Sequence, residues 1–433
     1  MTDSQYFTRT VTELGEARPV LASRAIFNVQ GTKIIDKGAR INLGLYERLM
    51  QHQLSEPLED SVTSAPAVTG AVLRSGAEEI LDSSPFFTRM AGEPKARSTL
   101  LDAVAKVPLP DPMAFQLTLA REVRPALYQQ ALCAALTAAW LAQVPLGSRF
   151  DLSMAAAAGL LHDIGMLHVD PSLLQPGGHL SREQRRQLYS HPLVSQALME
   201  RHHEYPKEVV RAVLEHHEYL DGSGYPRNLA GAALSGLGRI LSLTEVITAM
   251  FAPGRRAPEL RLSVILRMNW HRYDETLVLK VMQLIKPECD AQGGGVVLLP
   301  DPVGRLREID RLITGWPADL QHSAGLGANR REGLERLAGQ VAQLCRTLAT
   351  VGVTPDQLAH LGSEPLDSLL QQELTLIAAE AAWQLRALAR QARRRWRLVQ
   401  DEQYPEALLQ WLEQVDALVA GGDQPVDEAT AAP

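Results

Sequence analysis

The chain is expected to be mostly α, with a small α+β module at its start. Three observations lead there. Apolar residues recur at helical spacing from Phe115 to about Asp290 and again beyond Pro300. Strand-like runs are confined to the first forty or so positions, around Gln30-Gly31. Hydrophobic residues make up 45% of the 433, enough for ordinary globular cores, and that length suggests two or three domains.

Taken in order, residues 1–18 are polar with charges of both signs, so they read as a loose terminus and not as a signal peptide. Residues 25–29 and 32–35 flank Gln30-Gly31, a hairpin signal, and Asp36-Lys37-Gly38 adds a second turn. Residues 43–54 read as a short helix that completes a packing or docking module at 1–62. Ser, Ala, Pro and Gly punctuate residues 63–112, which read as a linker with one or two short helices. Residues 117–143 are almost continuously apolar and predict one helix buried on most sides. Asp151 resembles the N-cap of a helix at 154–161, which puts Leu161-His162-Asp163 near the end of a buried helix. Ser181-Arg182-Glu183-Gln184 is a capping box that opens another helix. Residues 208–218 and 238–251 are two more, and together these fill a domain at 113–290.

Residues 291–420 read as a second helical domain, with helices at 333–350, 366–399 and 406–419. In the long one, Leu366, Leu370, Leu374, Ile377, Ala381, Leu385, Leu388 and Ala392 form a single apolar stripe. That stripe wants a partner helix, and the C-terminal helices are a place for a protein partner or a homodimer. Residues 421–433 have the composition of a disordered tail.

Composition excludes some functions. Net charge is −7, which argues against a protein that coats nucleic acid. Three cysteines, far apart, give no disulfide framework and fit a reducing cytoplasm. The longest apolar run, 131–142, is too short to span a bilayer.

Chemistry concentrates in one stretch. Eight of the 12 histidines fall between His162 and His217. Neutral histidine is the commonest metal ligand, and a carboxylate beside it can bridge two cations. Phosphate-ester hydrolysis needs cations to neutralise charge and activate water, and a pair roughly 3.5–4 Å apart does both. His162, Asp163, His191, His216 and His217 can supply such a site from converging helices. Adjacent helical residues diverge by about 100°, so His216 and His217 reach one point only where their helix ends beside it. The loop Gly222-Ser223-Gly224-Tyr225-Pro226 ends it.

With these residues in place, positions 115–290 resemble the HD-GYP family, a branch of the HD metal-dependent phosphohydrolase superfamily. The match from His216 to Pro226 is highly specific, whereas a lone His-Asp pair would carry nothing. The resemblance implies an HD-domain-like helical core, a centre of two or three divalent ions (often iron or manganese) and hydrolysis of the bacterial messenger cyclic di-GMP. Carried over by position, His162 and Asp163 are the signature pair, with Asp163 as bridging and catalytic carboxylate. His191, His216 and His217 are further ligands, and Glu245 stands where the family has a metal-binding Asp. Gly222, Gly224, Tyr225 and Pro226 are the loop beside the substrate.

Three departures weaken one half of the site. Tyr128 stands where the family has a ligand histidine, Arg124 where some relatives add a carboxylate, and Met166 where a phosphate-contacting lysine is usual. The centre then holds two ions, or one tightly, or is a binding relic. Arg255 and Arg256 suit phosphate by their guanidinium geometry, with an ordinary surface loop as the equal alternative. His168, His179, His202 and His203 read as loop or solvated residues, and Tyr128 as a buried tyrosine with a hydrogen-bonded hydroxyl. The arginine run from Arg386 to Arg397 reads as a solvated helix end, and Trp383, Trp396 and Trp411 as packing residues. Two functions follow: a cyclic di-GMP phosphodiesterase, or a catalytically degenerate receptor for cyclic di-GMP or for a protein partner.

Overall fold

Proline and small polar residues start the helices of this chain. Ser84 accepts a hydrogen bond from the Phe87 amide at 3.3 Å with Pro85 beside it, and Pro94, Pro125, Pro192, Pro258 and Pro302 likewise stand in first turns. Proline is pre-set for that position because its missing N–H is one the helix start leaves unpaired. A computed structural model describes residues 3–144, 151–174, 180–286, 296–318, 328–361, 366–397 and 405–420. The expected tail at 421–433, and His179, lie outside them.

The protein is mostly α-helical. It begins with α1 (Asp3–Ala17), then β1 (Val20–Ala22), β2 (Ile26–Phe27), β3 (Lys33–Ile35), α2 (Tyr46–Gln51) and β4 (Val62–Ser64). β1 pairs antiparallel with β4 in the register Val20 to Ser64, and β2 with β3 in the register Ile26 to Ile35. Next come α3 (Gly70–Leu81), α4 (Pro85–Ala91), α5 (Pro94–Ala105), α6 (Asp111–Val123), α7 (Pro125–Leu141) and α8 (Leu152–Leu161). After a 3₁₀ turn (Ile164–His168) follow α9 (Arg182–Tyr189), α10 (His191–Glu200), α11 (Lys207–Glu215), α12 (Gly236–Met250), α13 (Pro258–Met268) and α14 (Glu275–Met282). The last five are α15 (Pro302–Thr314), α16 (Ala328–Thr350), α17 (Pro355–Leu361), α18 (Ser368–Arg397) and α19 (Glu406–Ala420).

Four sequence expectations are corrected here. Residues 1–18 are not loose: Phe7, Val11 and Leu14 put an apolar stripe on α1 and are buried. Residues 63–112 are not a linker, because α3 to α5 bury Leu73, Leu81, Phe86, Leu100 and Val104. The helix expected at 117–143 is two, broken at Arg124 where Pro125 cannot continue α6. The domain expected at 113–290 is not one packing unit. One unit comprises residues 1–254 and 271–284 of the described chain, and the other comprises 255–270 with 285 onward.

In the first unit, α7 and α8 carry the most deeply buried runs, Ala134 to Ala139 and Ala155 to Leu161. Packing of α7 against α8 delivers the end of α8, His162-Asp163, into the interior. Residues of the expected N-terminal module pack within the first unit, where Phe7 of α1 stacks on His168 of the 3₁₀ turn at 4.5 Å, and just after it Val68 N–H donates to Thr118 Oγ1 at 2.8 Å. In the second unit, α13 and α15 to α19 share one apolar core, with Leu260, Val264, Leu306, Leu337, Leu374, Ala381 and Trp411 in it. The stripe of α18 finds its partner helices within this unit. Trp411 is a packing residue, and its indole donates to Leu312 O at 2.8 Å.

Candidate metal centre

Three helix ends and one mid-helix carboxylate build the centre. His162 caps α8, His191 opens α10, His216 and His217 follow α11, and Glu245 projects from α12. All four histidines are at most 3% exposed. An unpaired polar ring in such a place is costly, so its hydrogen bonds are informative. His162 Nδ1 lies 2.7 Å from Gly159 O, His191 Nδ1 2.8 Å from Leu188 O, and His216 Nδ1 2.6 Å from Val213 O. A carbonyl only accepts, so each Nδ1 carries the proton and donates. For His191 and His216, Nε2 then offers a lone pair to the interior, the tautomer that metal-binding histidines use, whereas His162 Nε2 donates to Glu245 Oε2 at 3.1 Å and would give up that proton to a cation.

Those lone pairs converge. His191 Nε2 is 3.1 Å from His216 Nε2 and 3.1 Å from His217 Nε2. Between His191 and His216, whose Nδ1 atoms hold the protons, facing lone pairs at that range repel unless a positive charge lies between them. Asp163 spans two groups of donors. Its Oδ1 is 3.2 Å from His191 Nε2 and 3.5 Å from His216 Nε2, and its Oδ2 is 3.5 Å from His162 Nε2. Glu245 Oε2 completes the second group at 3.1 Å from His162 Nε2. Asp163, His191, His216 and His217 are one set with metal-ligand spacing, and His162, Asp163 and Glu245 are another. The donors fit divalent cations: imidazole nitrogens and carboxylate oxygens, with tautomers already fixed.

Electrostatics differ between the two sets. Burial pulls His162 down, but the charges of Asp163 and Glu245 outweigh it and hold the ring up at about 9. Burial alone would raise Asp163, yet His162, His191 and His216 keep it well below the usual carboxylate range. Burial holds His216 below its ordinary value and His217 well below. Those two rings are neutral and ready to donate.

The loop is clamped against this centre. Glu218, wholly buried, accepts from the Arg227 amide at 2.5 Å and the Leu229 amide at 2.8 Å. Tyr225 N–H donates to His217 O at 3.0 Å. Gly222 has φ +74, open to glycine at little cost, and a Cβ on Gly224 would lie 2.4 Å from Glu218 Cα. Tyr225 is covered on both faces, by His217 at 4.6 Å and Tyr189 at 4.8 Å, so only its edge is left for a ligand. A second buried carboxylate, Glu215, binds the Ser235 amide at 3.0 Å and the Ser235 hydroxyl, tying α11 to the start of α12. Ser195 Oγ, wholly buried, accepts from Gly165 N–H at 2.9 Å and joins the turn after Asp163 to α10.

The three departures have physical accounts. Arg124 places Nη1 on the carbonyls of Met166 and Val169, so a guanidinium closes the C-terminal end of the 3₁₀ turn. Met166 packs in a small apolar cluster with Val169, Leu173 and Leu188. Tyr128 is buried, but the expected hydrogen bond is not made. Its hydroxyl has no protein partner, and burial raises it while the charges it feels are Arg121 and Glu79. His168 is no loop residue, being 7% exposed and stacked on Phe7. His203 is exposed and His202 half-buried. Arg255 and Arg256 belong to the second unit, whereas every donor of the centre belongs to the first. Sequence reasoning missed Glu215, Glu218, Ser195 and Tyr189. The acidic residues flanking the His-His pair were the one available signal.

The family model for the HD domain matches residues 79–277. The chain is 32% identical over 153 residues to the 3'3'-cGAMP-specific phosphodiesterase 3 of Vibrio cholerae, covering 34% of this chain and 31% of that protein. It is 29% identical over 128 residues to a cyclic di-GMP phosphodiesterase of the same species, covering 27% and 26%. It is 28% identical over 106 residues to the cyclic di-GMP phosphodiesterase response regulator RpfG of Xanthomonas campestris, covering 24% and 28%. The matches thus span under a third of these relatives' length. A solved structure, the HDG"Y"P protein Bd1817 of Bdellovibrio bacteriovorus, aligns over 63% of this chain and 97% of its own, with a TM-score of 0.32 and 13% identity. Among the described residues, no helix is long and apolar enough to cross a membrane.

Proposed function

We propose, from the match of residues 79–277 to the family model for the HD domain, that the chain is a metal-dependent phosphodiesterase that hydrolyses cyclic di-GMP. The observation that carries the reading is the carboxylate of Asp163, whose two oxygens face two different donor groups. Divalent cations bound there would neutralise phosphate charge and lower the pKa of a water. His162, Asp163 and Glu245 would hold one, and Asp163, His191, His216 and His217 the other. The chain's own work is to fix these donors before substrate arrives, through the three Nδ1–carbonyl bonds and the buried clamps of Glu215 and Glu218. Hydrolysis adds water across one P–O bond: the water oxygen joins phosphorus, and the ribose oxygen leaves with a proton. Gly222, Gly224, Pro226 and the edge of Tyr225 are the substrate side of the centre in this reading. Relatives named for cyclic di-GMP and for 3'3'-cGAMP support a cyclic dinucleotide as the substrate class.

A second reading rests on Met166 and Tyr128. Met166 offers no charge where the resemblance expects a lysine, and Tyr128 no imidazole nitrogen where it expects a histidine, so the centre would bind cyclic di-GMP without turning it over. Anaerobic purification, iron and manganese per chain, and turnover of cyclic di-GMP and 3'3'-cGAMP separate the two. We expect bound metal and hydrolysis in the wild type, and neither in Asp163→Ala. Turnover that survives Asp163→Ala overturns the enzyme reading, and nucleotide binding without turnover establishes the receptor.

A further inference from the structure

His217 differs from the other three rings of the centre. Its Nδ1 is buried and has no hydrogen-bond partner, whereas the other three donate to a carbonyl three residues back. Something else must set its orientation. Tyr225 lies face-on to it, with centroids 4.6 Å apart and planes 20° from parallel. The opposite face of Tyr225 is covered by Tyr189, at 4.8 Å and 23°. Tyr189 in turn packs against the apolar cluster of Met166, Val169, Leu173 and Leu188. The last turn of α9 therefore serves two donors: Leu188 O holds His191 by a hydrogen bond, and the next residue stands behind His217.

We infer that Tyr189 is a positioning residue which, through the ring of Tyr225, holds His217 in its ligating orientation. The inference rests on the reading of the centre as a metal site. The stack replaces the second hydrogen bond that a ligand histidine ordinarily makes, and losing such a partner costs roughly 10–100-fold in metal affinity.

The test is manganese(II) binding by the full-length chain, read from the electron paramagnetic resonance of free ion, with melting temperature as a fold check. Tyr189→Phe keeps the ring and should bind as the wild type does. Tyr189→Leu keeps apolar bulk but no ring face, and Tyr189→Ala keeps neither; both should lose affinity about 10–100-fold at one of the two ions. Wild-type affinity in a folded Tyr189→Leu overturns the inference, since simple packing would then suffice. Should Tyr189→Leu not fold, Tyr225→Leu is read by the same criterion. Asp163→Ala, run alongside, separates the levels. Metal lost in Asp163→Ala but kept in Tyr189→Leu sinks the inference alone, whereas a wild type that binds no manganese sinks both.

Discussion

Tyr128 shows what a single side chain can decide. Its hydroxyl is buried and makes no protein hydrogen bond, and a buried group left unsatisfied costs about 1–3 kcal/mol. Tyr128→Phe is expected to raise stability by roughly 1 kcal/mol in urea denaturation and to leave manganese content unchanged; a fall in metal content would restore Tyr128 as a ligand. Glu218 has the opposite sign. Its carboxylate holds two loop amides in a wholly buried place, so Glu218→Ala should cost about 1.5–3 kcal/mol and loosen residues 222–229 in hydrogen exchange. At this scale the sequence was readable wherever chemistry is local. His216-His217, their loop and the His162-Asp163 pair announce themselves by spacing. Glu245 was found only by resemblance. Glu218, Ser195 and Tyr189 are ordinary residue types whose roles arise from chain segments brought together by folding, and no local pattern marks them.

At the scale of elements, the approach of the 3₁₀ turn to α10 sets the geometry of the donors. A Cβ on Gly165 would lie 2.4 Å from His191 O and 2.8 Å from Ser195 N. Both are backbone atoms, so α10 itself would have to move, taking His191 away from Asp163. Gly165→Ala should therefore cost roughly 1–3 kcal/mol and lower metal content together with stability. A variant with normal melting and normal metal content would show that α10 is free to shift. Helices were legible where apolar periodicity was strong, as in α16 and α18. They were missed where punctuation was read as interruption. Ser84-Pro85 and Pro94 looked like linker residues, yet they start helices, because a cap and a first-turn proline satisfy the end that an isolated helix leaves open. Polar composition likewise hid α1, whose three buried apolar residues fall on one face.

At the scale of the whole molecule, the boundary between units does not follow the boundary between sequence patterns. The centre is complete within the first unit, while the second is built around Trp411, 2% exposed. Trp411→Ala should destabilise the second unit by about 3–5 kcal/mol in calorimetry and leave manganese per chain as it was. A loss of metal in that variant would mean that the centre depends on the second unit's core. The sequence could not reveal this division. α13 lies between two segments of the first unit, and only its packing assigns it to the second.

That placement of α13 has a consequence in time. Synthesis runs from the N-terminus, so Leu260, Val264 and Met268 leave the ribosome before α16 and α18, the helices they pack against. For that interval the nascent chain carries a nearly finished first unit with one apolar helix it cannot bury in its own core. The exposure ends when α16 and α18 have followed and can claim it, so it lasts through the synthesis of the whole segment between them and α13.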